Sequence, residues 1–87
     1  MSRFNCLNCD FDTLAHEYYM LLDNVWHEAC AGVGVAPRDG MLCIGCVESA
    51  IGRKLNRRDF SDALINKMAI NDPTSVSPRL YDRLTLA

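Results

Sequence analysis

No hydrophobic run in this 87-residue chain approaches the roughly 18–20 residues that a membrane-spanning helix needs. The opening Met1-Ser2-Arg3-Phe4-Asn5-Cys6 has no apolar stretch of the secretory-signal kind. Both absences point to a soluble, intracellular protein and to no membrane partner. Histidine is scarce, with only His16 and His27. His27-Glu28 begins the metalloprotease pattern His-Glu-x-x-His, but Ala31 stands where the second histidine is required. There is no His-x-Glu, and no proline precedes either cysteine pair, so the zinc-deaminase signature fails. Excess positive charge is also missing. Nine Lys and Arg face eleven Asp and Glu, for a net charge of -2. Broad binding along a phosphate backbone is therefore not the expected activity. There is no low-complexity tract, and nothing repeats except one short motif.

That motif is Cys-x-x-Cys, present as Cys6-Leu7-Asn8-Cys9 and Cys43-Ile44-Gly45-Cys46. Four thiols in two i, i+3 pairs suit one tetrahedral Zn²⁺. In a reducing compartment, paired cysteines favour metal over disulfide, and the fifth cysteine, Cys30, breaks a simple disulfide count. A chain of this length buries a limited core and gains from such a staple, while 49% hydrophobic residues exclude a disordered polar chain. A rival reading makes Cys43 and Cys46 a thioredoxin-like redox pair. No βαβ unit precedes them, and the other pair competes for them. Cys30 reads as a small buried hydrophobe and as the reserve ligand.

The first pair reads as a zinc knuckle. Residues 17–22 are aromatic and apolar and predict a strand, with one of Tyr18 and Tyr19 facing inward. Asp23 predicts the N-cap of a short helical turn through Val25, Trp26 and Ala29, with Trp26 in the core. Residues 32–40 predict a loop leading to a short strand at Met41-Leu42. From Cys46, Val47, Ala50, Ile51 and Leu55 keep helical spacing, interrupted by Gly52. Asn56 and Asp59 predict a helix stop followed by a capped start. Phe60, Leu64 and Met68 are expected on the apolar side of that helix. Residues 71–78 form a connector ending in Ser77-Pro78, an N-cap and first-turn pair, before a final helix with Leu80, Tyr81 and Leu84 on one face.

Charge is uneven along the chain. Residues 1–46 hold two basic and six acidic residues, whereas residues 47–87 hold seven basic and five acidic. Arg53, Lys54, Arg57 and Arg58 form a basic edge with two readings: a solvated helix end, or a contact for nucleic acid. His16 and His27 invite a metal-dependent nuclease reading, which needs a second, hydrated metal.

Several segments also form an ordered set: Glu17-Tyr18-Tyr19-Met20, Asp23-Asn24-Val25-Trp26, Gly40-Met41-Leu42-Cys43-Ile44-Gly45-Cys46-Val47-Glu48, Ile51-Gly52-Arg53-Lys54-Leu55, Asp59-Phe60 and Arg79-Leu80-Tyr81-Asp82-Arg83-Leu84. The set resembles a family of small, uncharacterised cysteine-rich proteins of bacteriophages, especially those of actinobacteria, and of prophages. The resemblance runs from Cys6 to Leu84. It implies a phage origin, hence the cytoplasm of an infected host, and a zinc-binding fold, but no activity. The chain departs from the family in a more apolar 31–38 loop and in Val47, where leucine is usual.

The expected fold is α+β: a small treble-clef zinc finger of knuckle, short β-hairpin and helix, with additional C-terminal helices. A zinc-stapled domain spans residues 1–70, and a connector with a C-terminal helix spans residues 71–87. Cys6, Cys9, Cys43 and Cys46 are the expected ligands of a structural Zn²⁺. The expected function is non-enzymatic, an interaction module acting on a host protein. The alternative is a nucleic-acid-binding finger using Arg53, Lys54, Arg57 and Arg58.

Overall fold

The computed structural model describes residues 5–87. Residues 1–4, where the reading about a leader falls, lie outside the described residues. Five α-helices follow one another: α1 (Thr13–His16), α2 (Asp23–Val33), α3 (Ile44–Ile51), α4 (Leu64–Asn71) and α5 (Pro78–Thr85). Single 3₁₀ turns at Arg57–Asp59 and Pro73–Ser75 flank α4. Among the described residues, β structure is limited to three isolated bridges. No helix of the described residues is long and apolar enough to cross a membrane.

The expected hairpin partners do not pair with each other. Residues 17–22 form no strand with Met41-Leu42; Leu21 bridges Phe60, with Leu22 N–H donating to Asp59 C=O at 2.9 Å and Ser61 N–H to Met20 C=O at 3.0 Å. Met41 bridges Cys6 instead. The helix expected as a short turn through Ala29 is also longer: α2 runs on to Val33, so Gly32 and Val33 of the expected loop are helical, and Val25, Ala29 and Cys30 are buried in the core. Gly32 permits the crossing of α2 and α3, because a Cβ there would lie 2.9 Å from Ala50 Cβ and from its carbonyl oxygen. Gly52 ends α3 rather than interrupting it. Its φ of 74° is the left-handed geometry that glycine adopts without a Cβ penalty.

One core holds the chain together. Tyr19, Leu42, Ile44, Val47, Leu55 and Leu80 are fully buried. The Tyr19 hydroxyl donates to Leu42 C=O at 2.6 Å, and its ring meets Phe60 edge-on at 5.9 Å. Of the tyrosine pair, Tyr19 is the inward one; Trp26 is half-buried, its indole N–H donating to Pro37 C=O at 3.0 Å.

Around α4 the expected apolar side is reversed. Leu64 is 71% exposed and Met68 55% exposed, whereas Asn66 and Ala69 are buried. Asn66 turns the helix this way. Its side chain accepts from Met20 N–H at 3.1 Å and donates to Met20 C=O at 2.8 Å and Ser61 C=O at 3.0 Å. An amide side chain thus satisfies the Met20 N–H and shares its carbonyl with Ser61 N–H.

The final helix follows the sequence closely. Ser77 Oγ caps α5 by accepting from Leu80 N–H at 3.1 Å, Pro78 opens its first turn, and Leu80 and Leu84 enter the core. The C-terminal segment therefore packs on the same core as the cysteine-bearing elements.

Candidate metal centre

The two cysteine pairs meet because the knuckle is docked on the strand-like approach to α3. Cys6 N–H donates to Phe11 C=O at 2.7 Å, and Asp10 N–H returns to Cys6 C=O at 2.8 Å, closing a tight turn with Asp10 at φ 67°. Asn5 Nδ2 supports that turn by donating to Asp10 Oδ1 at 3.1 Å. Leu7 N–H donates to Met41 C=O at 2.9 Å, which fixes the first pair beside the second. Cys43 is the N-cap of α3, and its Sγ accepts from Cys46 N–H at 3.4 Å.

The result is a four-sulfur cluster. The Sγ atoms of Cys6, Cys9, Cys43 and Cys46 all lie within 4.8 Å of one another, and those of Cys9 and Cys43 are 3.6 Å apart. Tetrahedral zinc with bonds of about 2.3 Å places its sulfurs about 3.8 Å apart. The donor set therefore fits a Cys₄ metal site. Cys6 and Cys43 are buried, Cys46 is half-buried and Cys9 is exposed. Neither histidine belongs to the cluster, and Cys30 lies apart in the core.

Nearby dipoles favour thiolate at Cys6. Burial of Cys6 works against ionisation, but the backbone N–H groups of Cys43, Cys9 and Asn8, with help from the Cys46 thiol, outweigh it and bring Cys6 down to about 7. Burial pushes the Cys43 and Cys46 thiols up. Asn8, inside the first Cys-x-x-Cys, donates through Nδ2 to Cys46 Sγ at 3.3 Å, a bond that tethers one pair to the other.

A buried carboxylate supports the site from behind. Glu17 Oε1 accepts from the N–H of Ile44 at 2.9 Å, in the first turn of α3. Its Oε2 accepts from Ser77 Oγ at 2.7 Å, and Arg79 closes on both oxygens. Burial opposes its charge, yet the Arg79 and Ser77 hydrogen bonds hold Glu17 below the usual carboxylate range. Gly45 makes room for this arginine: a Cβ there would sit 2.7 Å from Arg79 Nη1. A second fork repeats the device one turn later. Arg83 Nε and Nη2 donate to Glu48 Oε2 at 2.7 Å and Oε1 at 3.1 Å, and Leu55 N–H shares Oε2 at 2.7 Å.

The four basic residues separate into two groups. Arg53 grips Asp59 through two 2.8 Å bonds, so it belongs to the turn that starts at Asn56. Lys54, Arg57 and Arg58 are exposed. Sequence reasoning missed Glu17, Asn8 and the paired arginines of α5. A lone acid opening an aromatic, apolar stretch was a signal for Glu17, and Arg79 and Arg83 at i, i+4 beside Leu80 and Leu84 were a signal for the clamps.

These features define a small, mainly helical domain built around a four-cysteine cluster suited to a metal ion. No protein family, curated protein or solved structure matches the chain.

Proposed function

We propose that the protein is a zinc-stapled interaction module, with one structural Zn²⁺ held by Cys6, Cys9, Cys43 and Cys46. The all-sulfur cluster carries this reading. Four sulfurs complete the tetrahedral shell of zinc and leave no position for a reacting water, so the metal's role is to fix structure. A knuckle supplying one pair and a helix start supplying the other is the ligand arrangement of a treble clef. We accordingly read the fold as treble-clef-like with added helices. The metal contributes on the order of 10 kcal/mol of binding free energy to folding, in a chain with a small core. The motifs resembling phage and prophage proteins support action in the cytoplasm of an infected host, on a host protein.

Affinity capture tests this with zinc-loaded protein and with Cys43→Ser as matched baits. A partner retained only by the loaded protein, and reproduced with the purified partner, is the expected result. Equal capture by both baits would contradict a function that depends on the stapled fold.

A second reading, nucleic-acid contact, draws on the exposure of Lys54, Arg57 and Arg58. It predicts retention on DNA or RNA that weakens steeply with salt and is lost in Arg57→Ala/Arg58→Ala.

A further inference from the structure

The basic edge lines a groove that also has apolar residues. Arg57, Arg58 and Lys67 of α4 line an open cavity of about 470 Å³ together with Phe60, Ile70 and Leu84. No side-chain hydrogen bond or ion pair holds Arg57 or Arg58 among the described residues. Lys67 pairs only with Asp62 at 3.1 Å, and Asp62 is 94% exposed. An incoming carboxylate replaces that pairing at little cost, because exposed ion pairs contribute at most about 1 kcal/mol. Ile70 is 41% exposed, so the apolar lining is reachable from solvent there, whereas Phe60 and Leu84 are buried.

Cations that are free or weakly held, beside an exposed apolar residue, fit one chemistry: carboxylates flanking an apolar side chain. We propose that this groove binds an acidic peptide segment of a partner protein, with one apolar residue seated against the exposed Ile70 and its neighbouring carboxylates meeting Arg57, Arg58 and Lys67. The proposal rests on the interaction-module reading and gives it a surface. Nucleic acid fits the groove less well. Base stacking needs an exposed aromatic face, and Phe60, the aromatic residue of the lining, is buried. Arginine forks and a buried apolar anchor are the features that dominate peptide affinity.

The probe is a fluorescein-labelled peptide with a central leucine between runs of glutamate, titrated into zinc-loaded protein and followed by anisotropy and amide NMR shifts. The expected result is saturable binding with shifts centred on Arg58, Ile70 and Leu84. Arg58→Glu and Ile70→Asp are expected to weaken it about tenfold each, as is glycine in place of the peptide's leucine. Both side chains are exposed, and an unchanged far-UV spectrum and zinc content establish that each variant is folded. No binding, or binding indifferent to the leucine and to Ile70→Asp, would overturn the groove. Preferential binding of oligothymidine at the same residues would overturn it in favour of nucleic acid. Failure here with a zinc-dependent partner still captured would leave the module reading standing on another face; loss of both would remove both.

Discussion

Arg79 forks onto Glu17, with Nη2 2.8 Å from Oε1 and Nε 2.9 Å from Oε2, and so ties α5 to the segment that positions the second cysteine pair. The same carboxylate holds the first turn of α3 through Ile44 N–H. A buried charge that loses its partner is costly, whereas the intact pair merely offsets its own desolvation. Arg79→Ala is therefore expected to destabilise the zinc-loaded protein by about 3 kcal/mol in urea unfolding. Arg79→Lys restores the charge but not the fork, and is expected to recover only part of the loss. A change within about 0.5 kcal/mol for Arg79→Ala would show that the clamp is dispensable.

Acid sensitivity follows from the same group. Glu17 is held below its ordinary value of 4.5, so the folded state binds its proton less readily than the unfolded state does. Its contribution is present above 4.5 and is lost as pH falls through the lower folded value. Protonation of the cysteine ligands destabilises wild type and Glu17→Gln alike, so the difference between them isolates the carboxylate. That difference is expected to be largest near neutral pH and to shrink below about 4.5. A difference that stayed constant with pH would contradict a charged Glu17 in the fold.

Much of this arrangement was readable in the sequence, for local reasons. The capping box at Asn56 was legible because Asn56 and Asp59 satisfy each other's neighbouring backbone groups within three residues, but it opens a single 3₁₀ turn at Arg57–Asp59, and the helix expected to follow it through Leu64 and Met68 starts separately at Leu64. Ser77-Pro78 was legible for the same reason. The cysteine cluster was legible because spacing alone brings two sulfurs to each turn. Long-range pairings were not. Residues 17–22 have the composition of a strand, but their partners are Phe60 and the Asn66 side chain, forty or so positions away. Asn66 also reversed the face of α4, a case where a polar group with several backbone partners outweighs the exposure of Leu64 and Met68. The closing Arg79-Leu80-Tyr81-Asp82-Arg83-Leu84 segment stood out in the sequence only as a resemblance. Its physical content, two core leucines and two arginine forks on one helix, emerges only once Glu17 and Glu48 are placed in space.

Asn8 offers a test of support around the metal. Its Nδ2 donates to Cys46 Sγ from the opposite pair, and outer groups of this kind change metal affinity by about 10–100-fold. Asn8→Ala is expected to lower zinc affinity about tenfold in competition with a chromophoric chelator, with an unchanged far-UV spectrum. Cys30→Ala, in contrast, is expected to leave zinc stoichiometry intact, because Cys30 lies in the core and not in the cluster.

Arg53 and Asp59 are expected to behave unequally although they form one pair. Arg53 is about half exposed, so Arg53→Ala removes a screened interaction and is expected to cost about 0.5–1 kcal/mol. Asp59 also accepts from Asn56 N–H at 2.9 Å, so Asp59→Ala removes a cap as well and is expected to cost about 2 kcal/mol in thermal unfolding. Equal costs would assign the stabilisation to the ion pair alone.

The central claim, a structural zinc in the four-cysteine cluster, is tested most directly by native mass spectrometry of protein purified without added metal, combined with thiol labelling. The expected result is one zinc per chain, with Cys30 the cysteine outside the metal site. A metal-free chain with Cys6, Cys9, Cys43 and Cys46 joined in two disulfides would contradict the account and favour redox chemistry at Cys43 and Cys46.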